Sequence, residues 1–407
     1  MISDLDNMQW PSSPLKAKEL DTEQIKQFLL IRAAYEKSAF VTEGHLEVRQ
    51  LGAKEFTKSI PPGESAITAL VHHPNGHIYG GTSGEKAHLF YYNPAPDGDA
   101  CADIGVLEEN GTVSAMRILP DLRILASVNR KDGTSALYCY SPCEIVLRDE
   151  DFKGRNVREI FDLPAEDQLF FSTIDPCHSS GAVRQIPNPV PEGIADFVLL
   201  GSTVFALGAK SSKLYCFLPG ESEAVSPGRL DVNGNFSGKL AAGDDCVYAA
   251  GLYGRIFRCT TESVTPLEVC APSLKGRELY NKVTAWTRTK EGIFYGGTVD
   301  GILFSFDPAE GKLLTYGKAT DQCYMCALAV SGGKIYGLVG LPDDCCHLTV
   351  FDPADRQLRD LGCLLARSER PWNGYRFGAM VKGNNGALYL GEMDRMSHLF
   401  MYYPAVE

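Results

Sequence analysis

The chain has 407 residues, 39 basic against 51 acidic, for a net charge of −12. That balance leaves no clustered Lys and Arg with which to grip nucleic acid, and no run of about 18 apolar residues offers a membrane span. Met1 to Leu20 holds too many charges and prolines for the apolar core of a signal peptide, so the expected location is the cytoplasm, with the 13 cysteines present as reduced thiols packed like small hydrophobes.

The first twenty residues, with Pro11 and Pro14, read as a loosely held tail. Asp21-Thr22-Glu23-Gln24 then forms a capping box, and Ile25, Phe28, Leu29 and Arg32 recur at helical spacing, which predicts a helix through about Ser38. From His45 to Gly52 the pattern changes to strict alternation, the mark of a strand. The expected division is an N-terminal tail and capping helix over 1–44, then one large domain over 45–407.

From residue 64 onward a unit recurs: a short apolar strand that often ends in small residues, a polar loop, then an aromatic-rich strand. Ile78-Tyr79-Gly80-Gly81-Thr82 followed by His88-Leu89-Phe90-Tyr91-Tyr92-Asn93-Pro94 is matched by Ile293-Phe294-Tyr295-Gly296-Gly297-Thr298 followed by Ile302-Leu303-Phe304-Ser305-Phe306-Asp307-Pro308. Equivalent anchors start at Ile78, Ile124, Leu169, Val204, Val247, Ile293, Ile335 and Leu388, spaced 46, 45, 35, 43, 46, 42 and 53 residues apart. Four short strands with tight turns need about 40–50 residues, so each interval holds one four-stranded unit. The last unit, Tyr375 to Tyr403, supplies only three strands. The open edge this leaves calls for a partner, and 45–52 is expected to fill it.

This pattern resembles kelch-type and related β-propeller repeats, in which a double glycine ends the second strand and a Tyr-Asp-Pro turn ends the third. The kelch tryptophan of the fourth strand and the Trp-Asp signature are absent, so the resemblance reaches the superfamily. It implies an all-β β-propeller of four-stranded antiparallel blades, and the eight anchors set the count at an eight-bladed ring, with seven blades as the alternative. In that topology the loops before first strands and between second and third strands gather on one face, here called the top, and such loops commonly carry function on a rigid scaffold.

The top-face loops supply the candidate residues. Arg158, Tyr280, Lys282, Trp372, Asn373, Tyr375, Arg376, Glu392 and Arg395 combine aromatic faces that stack on rings with guanidinium forks that take carboxylates. If the protein is a lyase of uronate-containing sugars, His178 or Tyr375 is the base and Arg376 the cation that steadies the enolate. No cofactor is expected. A divalent metal would draw on Cys323, Cys345 and His347, but residues three apart on a strand, such as Cys323 and Cys326, point to opposite faces. His88, His347 and His398 begin equivalent third strands, and the repeat accounts for them better than a shared metal. Tryptophan-docked quinone chemistry is disfavoured with only Trp10, Trp286 and Trp372 in the chain.

No nucleophile elbow, P-loop or zinc-protease motif occurs. The reading is therefore a non-catalytic propeller that binds a small ligand or a protein partner through its top loops. The alternative is an enzyme acting on acidic carbohydrate.

Overall fold

The structure is a computed structural model that describes residues 41–52, 59–94, 100–142, 183–230, 238–341, 345–366, 372–394 and 398–405. The helix expected before Ser38 lies outside them, as do Arg158, His178 and Arg395.

The described residues build seven four-stranded antiparallel blades. Blade 1 is Ala66–His72, Ile78–Ser83, Lys86–Asn93 and Ala100–Glu109; blade 2 is Gly111–Ile118, Ile124–Arg130, Ser135–Tyr140 and Val183–Ile186. Blade 3 is Ile194–Leu200, Thr203–Gly208, Lys213–Phe217 and Val225–Arg229; blade 4 is Leu240–Ala242, Val247–Ala250, Arg255–Cys259 and Val264–Cys270. Blade 5 is Val283–Arg288, Phe294–Thr298, Leu303–Asp307 and Lys312–Gly317; blade 6 is Met325–Ser331, Lys334–Val339, His347–Asp352 and Gln357–Cys363. Blade 7 takes Phe377–Lys382, Leu388–Glu392 and His398–Tyr403 from one end of the described chain and His45–Gln50 from the other.

Each first strand packs against the first strands of the two neighbouring blades, and blade 7 meets blade 1, so seven blades close the circle. The count of eight is thereby corrected to seven. The anchor at Leu169 misled because it falls between the third and fourth strands of blade 2, where Ser135–Tyr140 pairs directly with Val183–Ile186; residues 143–182 lie outside the described set.

Strands that are apolar on both faces form the second and third positions, because each blade is sandwiched between two others. Tyr389, Phe90, Phe205, Phe294, Phe304, Phe351 and Phe400 are all fully buried there. The double glycines serve this packing. A Cβ at Gly80 would run into the Phe90 ring of the same blade, and one at Gly81 into Val113 of the next; Gly296 and Gly297 stand likewise against Phe304 and Met325.

In six blades the pairing of first and second strands slips by one residue near the top, at Thr68, Ser114, Ala195, Thr284, Cys326 and Gly378. Such bulges re-aim a side chain. Thr68 donates across to the carbonyl of Val113 at 2.7 Å, and Thr284 to that of Met325 at 2.6 Å, each hydroxyl stitching its blade to the following one. Beside the bulge of blade 3, Asp196 does the same as an acceptor for the Leu240 amide at 3.0 Å.

The His45–Gln50 strand pairs residue by residue with His398–Tyr403, from His45 opposite Tyr403 to Gln50 opposite His398. Leu46 turns into the blade and Leu51 behind it is fully buried. The chain before it is tied to blade 6 by the Thr42 amide on the Leu361 carbonyl at 2.7 Å and by an Arg359–Glu43 ion pair.

Candidate functional site

The top face differs from the rest of the surface in one respect. Eleven large hydrophobic residues are exposed among the described residues, and seven of them, Tyr253, Leu274, Leu279, Tyr280, Tyr324, Leu341 and Tyr375, stand on top-face loops of blades 4 to 7. Scattered apolar side chains need no explanation, whereas a concentration on one face does.

The loops that carry them are held firmly. Asp300, fully buried at the blade 5 second turn, pairs with Arg277 at 2.9 Å and accepts the Leu274 amide at 3.3 Å. This fixes the loop whose outer side presents Leu279 and Tyr280, the latter 62% exposed. Asn281 beneath it is buried and donates to the Ala271 carbonyl at 2.8 Å. The Leu252–Gly254 turn that carries Tyr253 packs on Glu278–Tyr280.

Two of these tyrosines sit in left-handed backbone, Tyr253 at φ 58° and Tyr324 at φ 68°. Bulky residues avoid this region because Cβ crowds the backbone, and they persist there only where the surroundings over-determine them. At Tyr324 the surroundings are backbone bonds on both sides, its amide to the Val299 carbonyl at 2.9 Å and its carbonyl to the Gly340 amide at 3.1 Å. Tyr324 is 37% exposed, and the protein packed around the rest of its ring pushes the phenol up, with the nearby Arg376 charge partly opposing this.

The residues singled out in the sequence separate into two groups. Tyr280, Tyr375 and Arg376 are exposed on the top face, and Lys282 is half-buried there. Trp372 and Glu392 instead form an interior node. The Glu392 carboxylate is fully buried and accepts from the Trp372 indole N–H at 2.7 Å, the Tyr375 amide at 3.1 Å and His398 Nδ1 at 3.2 Å. The Trp372 ring packs against His398 with centroids 4.0 Å apart and the ring planes tilted by 34°. Burial is the largest influence on Glu392 and holds its carboxyl above the usual range, against the hydrogen bonds from His398, Trp372 and Tyr375. Asn373 is half-buried and donates to Cys345 Sγ at 3.3 Å.

The metal candidates are engaged separately. Cys323 Sγ lies 3.6 Å from Lys318 Nζ, Cys345 takes Asn373, and His347 Nδ1 meets Asp360 at 2.9 Å while its Nε2 faces Cys363 Sγ at 3.4 Å. Among the described residues the close trio of ligand types is Glu392, Asp394 and His398, within 4.8 Å of one another, but both Glu392 oxygens are already taken by N–H donors.

A related node, invisible to motif reading, surrounds His88. Its Nε2 meets Glu64 at 2.8 Å and its Nδ1 meets Asp103 at 3.0 Å, with the imidazole buried. The His88–Asp103 and His347–Asp360 pairs occupy the same place in blades 1 and 6, third strand to outer strand. A comparison of those two blades is the only sequence signal that would have found them.

Burial alone would lower the His88 pKa, and the two carboxylates more than offset it, so the folded value is raised. The stabilisation is thus complete below the unfolded value of about 6.5 and is lost as pH rises through the folded one. Folding free energy, measured by denaturant titration at a series of pH values, is expected to fall as pH climbs above 6.5. The H88Q variant should show a shallower fall; an unchanged slope would remove the His88 node as its source.

No protein-family model matches the chain, and a search of curated proteins finds no match. Solved structures do match. Virginiamycin B lyase from Staphylococcus aureus, determined as a catalytically inactive variant with quinupristin, superposes with a TM-score of 0.61 at 7% identity over 89% of this chain and 100% of that one. The extracellular domain of a putative hybrid two-component system from B. thetaiotaomicron gives 0.56 at 14% identity, over 89% of this chain and 40% of that one. The WD40 β-propeller domain of Doa1 gives 0.53 at 10% identity, over 87% and 96%.

The chain is a β-propeller. Identities this low carry the fold and nothing narrower, so the function of this propeller has to be argued from its own top face. Among the described residues no helix is long and apolar enough to cross a membrane.

Proposed function

We propose that this propeller is a binding module that grips a partner protein by the top face of blades 4 to 7 without turning it over. The observation that carries the proposal is the gathering there of Tyr253, Tyr280, Tyr324, Tyr375, Leu274, Leu279 and Leu341 on braced loops. Tyrosine offers large contact area with few rotatable bonds, and it dominates interface hot spots for that reason. Arg255, Lys275 and Arg376 are exposed around the same patch, and no ion pair to any of them occurs among the described residues, which suits a polar rim with spare donors.

The test is a pull-down with the full chain as bait, compared with the Y280A/Y375A variant. Loss of about 1–2 kcal/mol per hot-spot tyrosine should abolish retention of the captured protein while the melting temperature stays within about a degree, since both side chains are exposed. Equal capture by the variant would sink the proposal. The lyase alternative places Tyr375 and Arg376 side by side on this face, but its imidazole base, His178, lies outside the described residues. Appearance of an ultraviolet-absorbing unsaturated product from oligouronides would establish turnover and overturn the non-catalytic reading.

A further inference from the structure

The axial channel of the ring opens, at the end opposite the tyrosines, into a cavity of about 320 Å³ between the first strands of blades 2 to 5. Its charged lining consists of Arg117 and Arg288, and no carboxylate lines it among the described residues. Arg117 leans on Asp196, which lines the channel above, at 3.0 Å, and its guanidinium lies 5.7 Å from the Phe197 ring centre. Arg288 reaches outward to the exposed Asp244 and lies 5.3 Å over Phe294. The remaining wall is largely apolar, with Val198, Leu199 and Phe294.

Two donors at this place are unsatisfied. The indole N–H of Trp286, a residue that lines both the channel and the cavity, is buried without a hydrogen-bond partner, and so is Nε of Arg288. Both residues therefore hold a buried donor without an acceptor beside the cavity that they line. The unmet polar demand of Trp286 and Arg288 is for acceptors, the charged groups lining the cavity are guanidiniums, and the rest of the wall is largely apolar. The volume stands at the small end of ligand pockets, roughly 300–1,000 Å³.

We infer that this cavity binds a small organic carboxylate, its anionic head taken by Arg288, Arg117 and the Trp286 N–H and its apolar body laid against Val198, Leu199 and Phe294. Guanidinium forks suit a carboxylate because two parallel N–H donors match its two oxygens. The site is separate from the top face, so it stands or falls independently of the partner-binding proposal.

The experiment is calorimetric titration and thermal melting of the full chain with benzoate and hexanoate as probes, beside benzamide and benzylamine as neutral and cationic counterparts of benzoate. Benzoate or hexanoate is expected to bind and raise the melting temperature, with benzamide at least about tenfold weaker and benzylamine not bound. R288Q should weaken the carboxylates about tenfold or more and leave benzamide unchanged. If R288Q fails to fold, R288K keeps the charge but not the fork and should still weaken carboxylate binding. The Y280A/Y375A variant should bind benzoate like the parent chain. Benzamide or benzylamine binding as tightly as benzoate, carboxylate affinity unaffected by the Arg288 variants, loss of binding in Y280A/Y375A, or no carboxylate binding at millimolar concentration would each overturn the assignment.

Discussion

A chain that begins at Ala53 is expected to be recovered as aggregate, or as a soluble species that melts far below the intact protein. Truncation there removes the outer strand of blade 7, and the whole edge of His398–Tyr403 loses its partner. It also removes Leu46 and Leu51, both buried, and full burial of such side chains contributes about 1.5–3 kcal/mol each. With them go the Thr42 bond to Leu361 and the Glu43 ion pair to Arg359. An unpaired strand edge is a template for other chains, so aggregation is the expected form of failure. Size-exclusion chromatography with light scattering reads the outcome, and a monomer melting like the parent would show that blade 7 stands on three strands. The point variant Leu46→Asp tests the same strand without truncation, and a melting-temperature drop of several degrees is expected.

Replacing Glu392 by alanine should be the most damaging single substitution in blade 7. The change leaves the Trp372 indole N–H, the Tyr375 amide and His398 without the acceptor they share. Each buried donor left unsatisfied costs about 1–3 kcal/mol, so the loss is a large part of the stability of an ordinary domain. The Glu392→Gln variant keeps one carbonyl acceptor and should lose less. The two variants also differ in their pH response. Because burial raises the folded pKa of Glu392, its contribution is fully present below the unfolded carboxylate value and is lost as pH rises through the folded one. The glutamine variant cannot titrate, so its stability should be flatter than the parent's over that window. Denaturant melts from pH 4 upward measure both effects; equal stability of Glu392→Ala and the parent would show that the node holds nothing.

Much of the fold was legible because a blade strand is buried on both faces and therefore writes itself as an unbroken apolar pair, as at Ile78-Tyr79, Val204-Phe205 and Leu388-Tyr389. The same property produced the miscount. Leu169-Phe170 carries that signature, yet an apolar pair says nothing about whether four strands follow it. The glycine signature, by contrast, was specific, since Gly80 and Gly296 have an aromatic ring in the space a side chain would need.

The candidate site was less legible, for a reason visible at Trp372 and Glu392. An indole and a carboxylate on adjacent loops suit a ligand pocket and an internal hydrogen bond equally well. What decides between them is the arrival of His398 from the third strand of the same blade. The exposed tyrosines were hidden from the opposite side. Tyr324 owes its placement to left-handed backbone fixed by bonds to Val299 and Gly340, and Tyr253 to a left-handed turn closed between Gly251, Gly254 and Arg255; no periodicity in the sequence reports a φ angle.

The division of blade 7 between distant parts of the chain bears on the order in which the protein is made. The Tyr402 hydroxyl bonds to the Glu43 carbonyl across 359 residues, a separation that nothing in the other six blades approaches in their strand pairings. On a ribosome working at about 5–20 residues per second, the strand at His45–Gln50 emerges well before any partner for it exists. It spends roughly 20–70 seconds waiting at that rate. Until His398–Tyr403 has emerged, the nascent ring is an open arc whose His45–Gln50 strand has no partner.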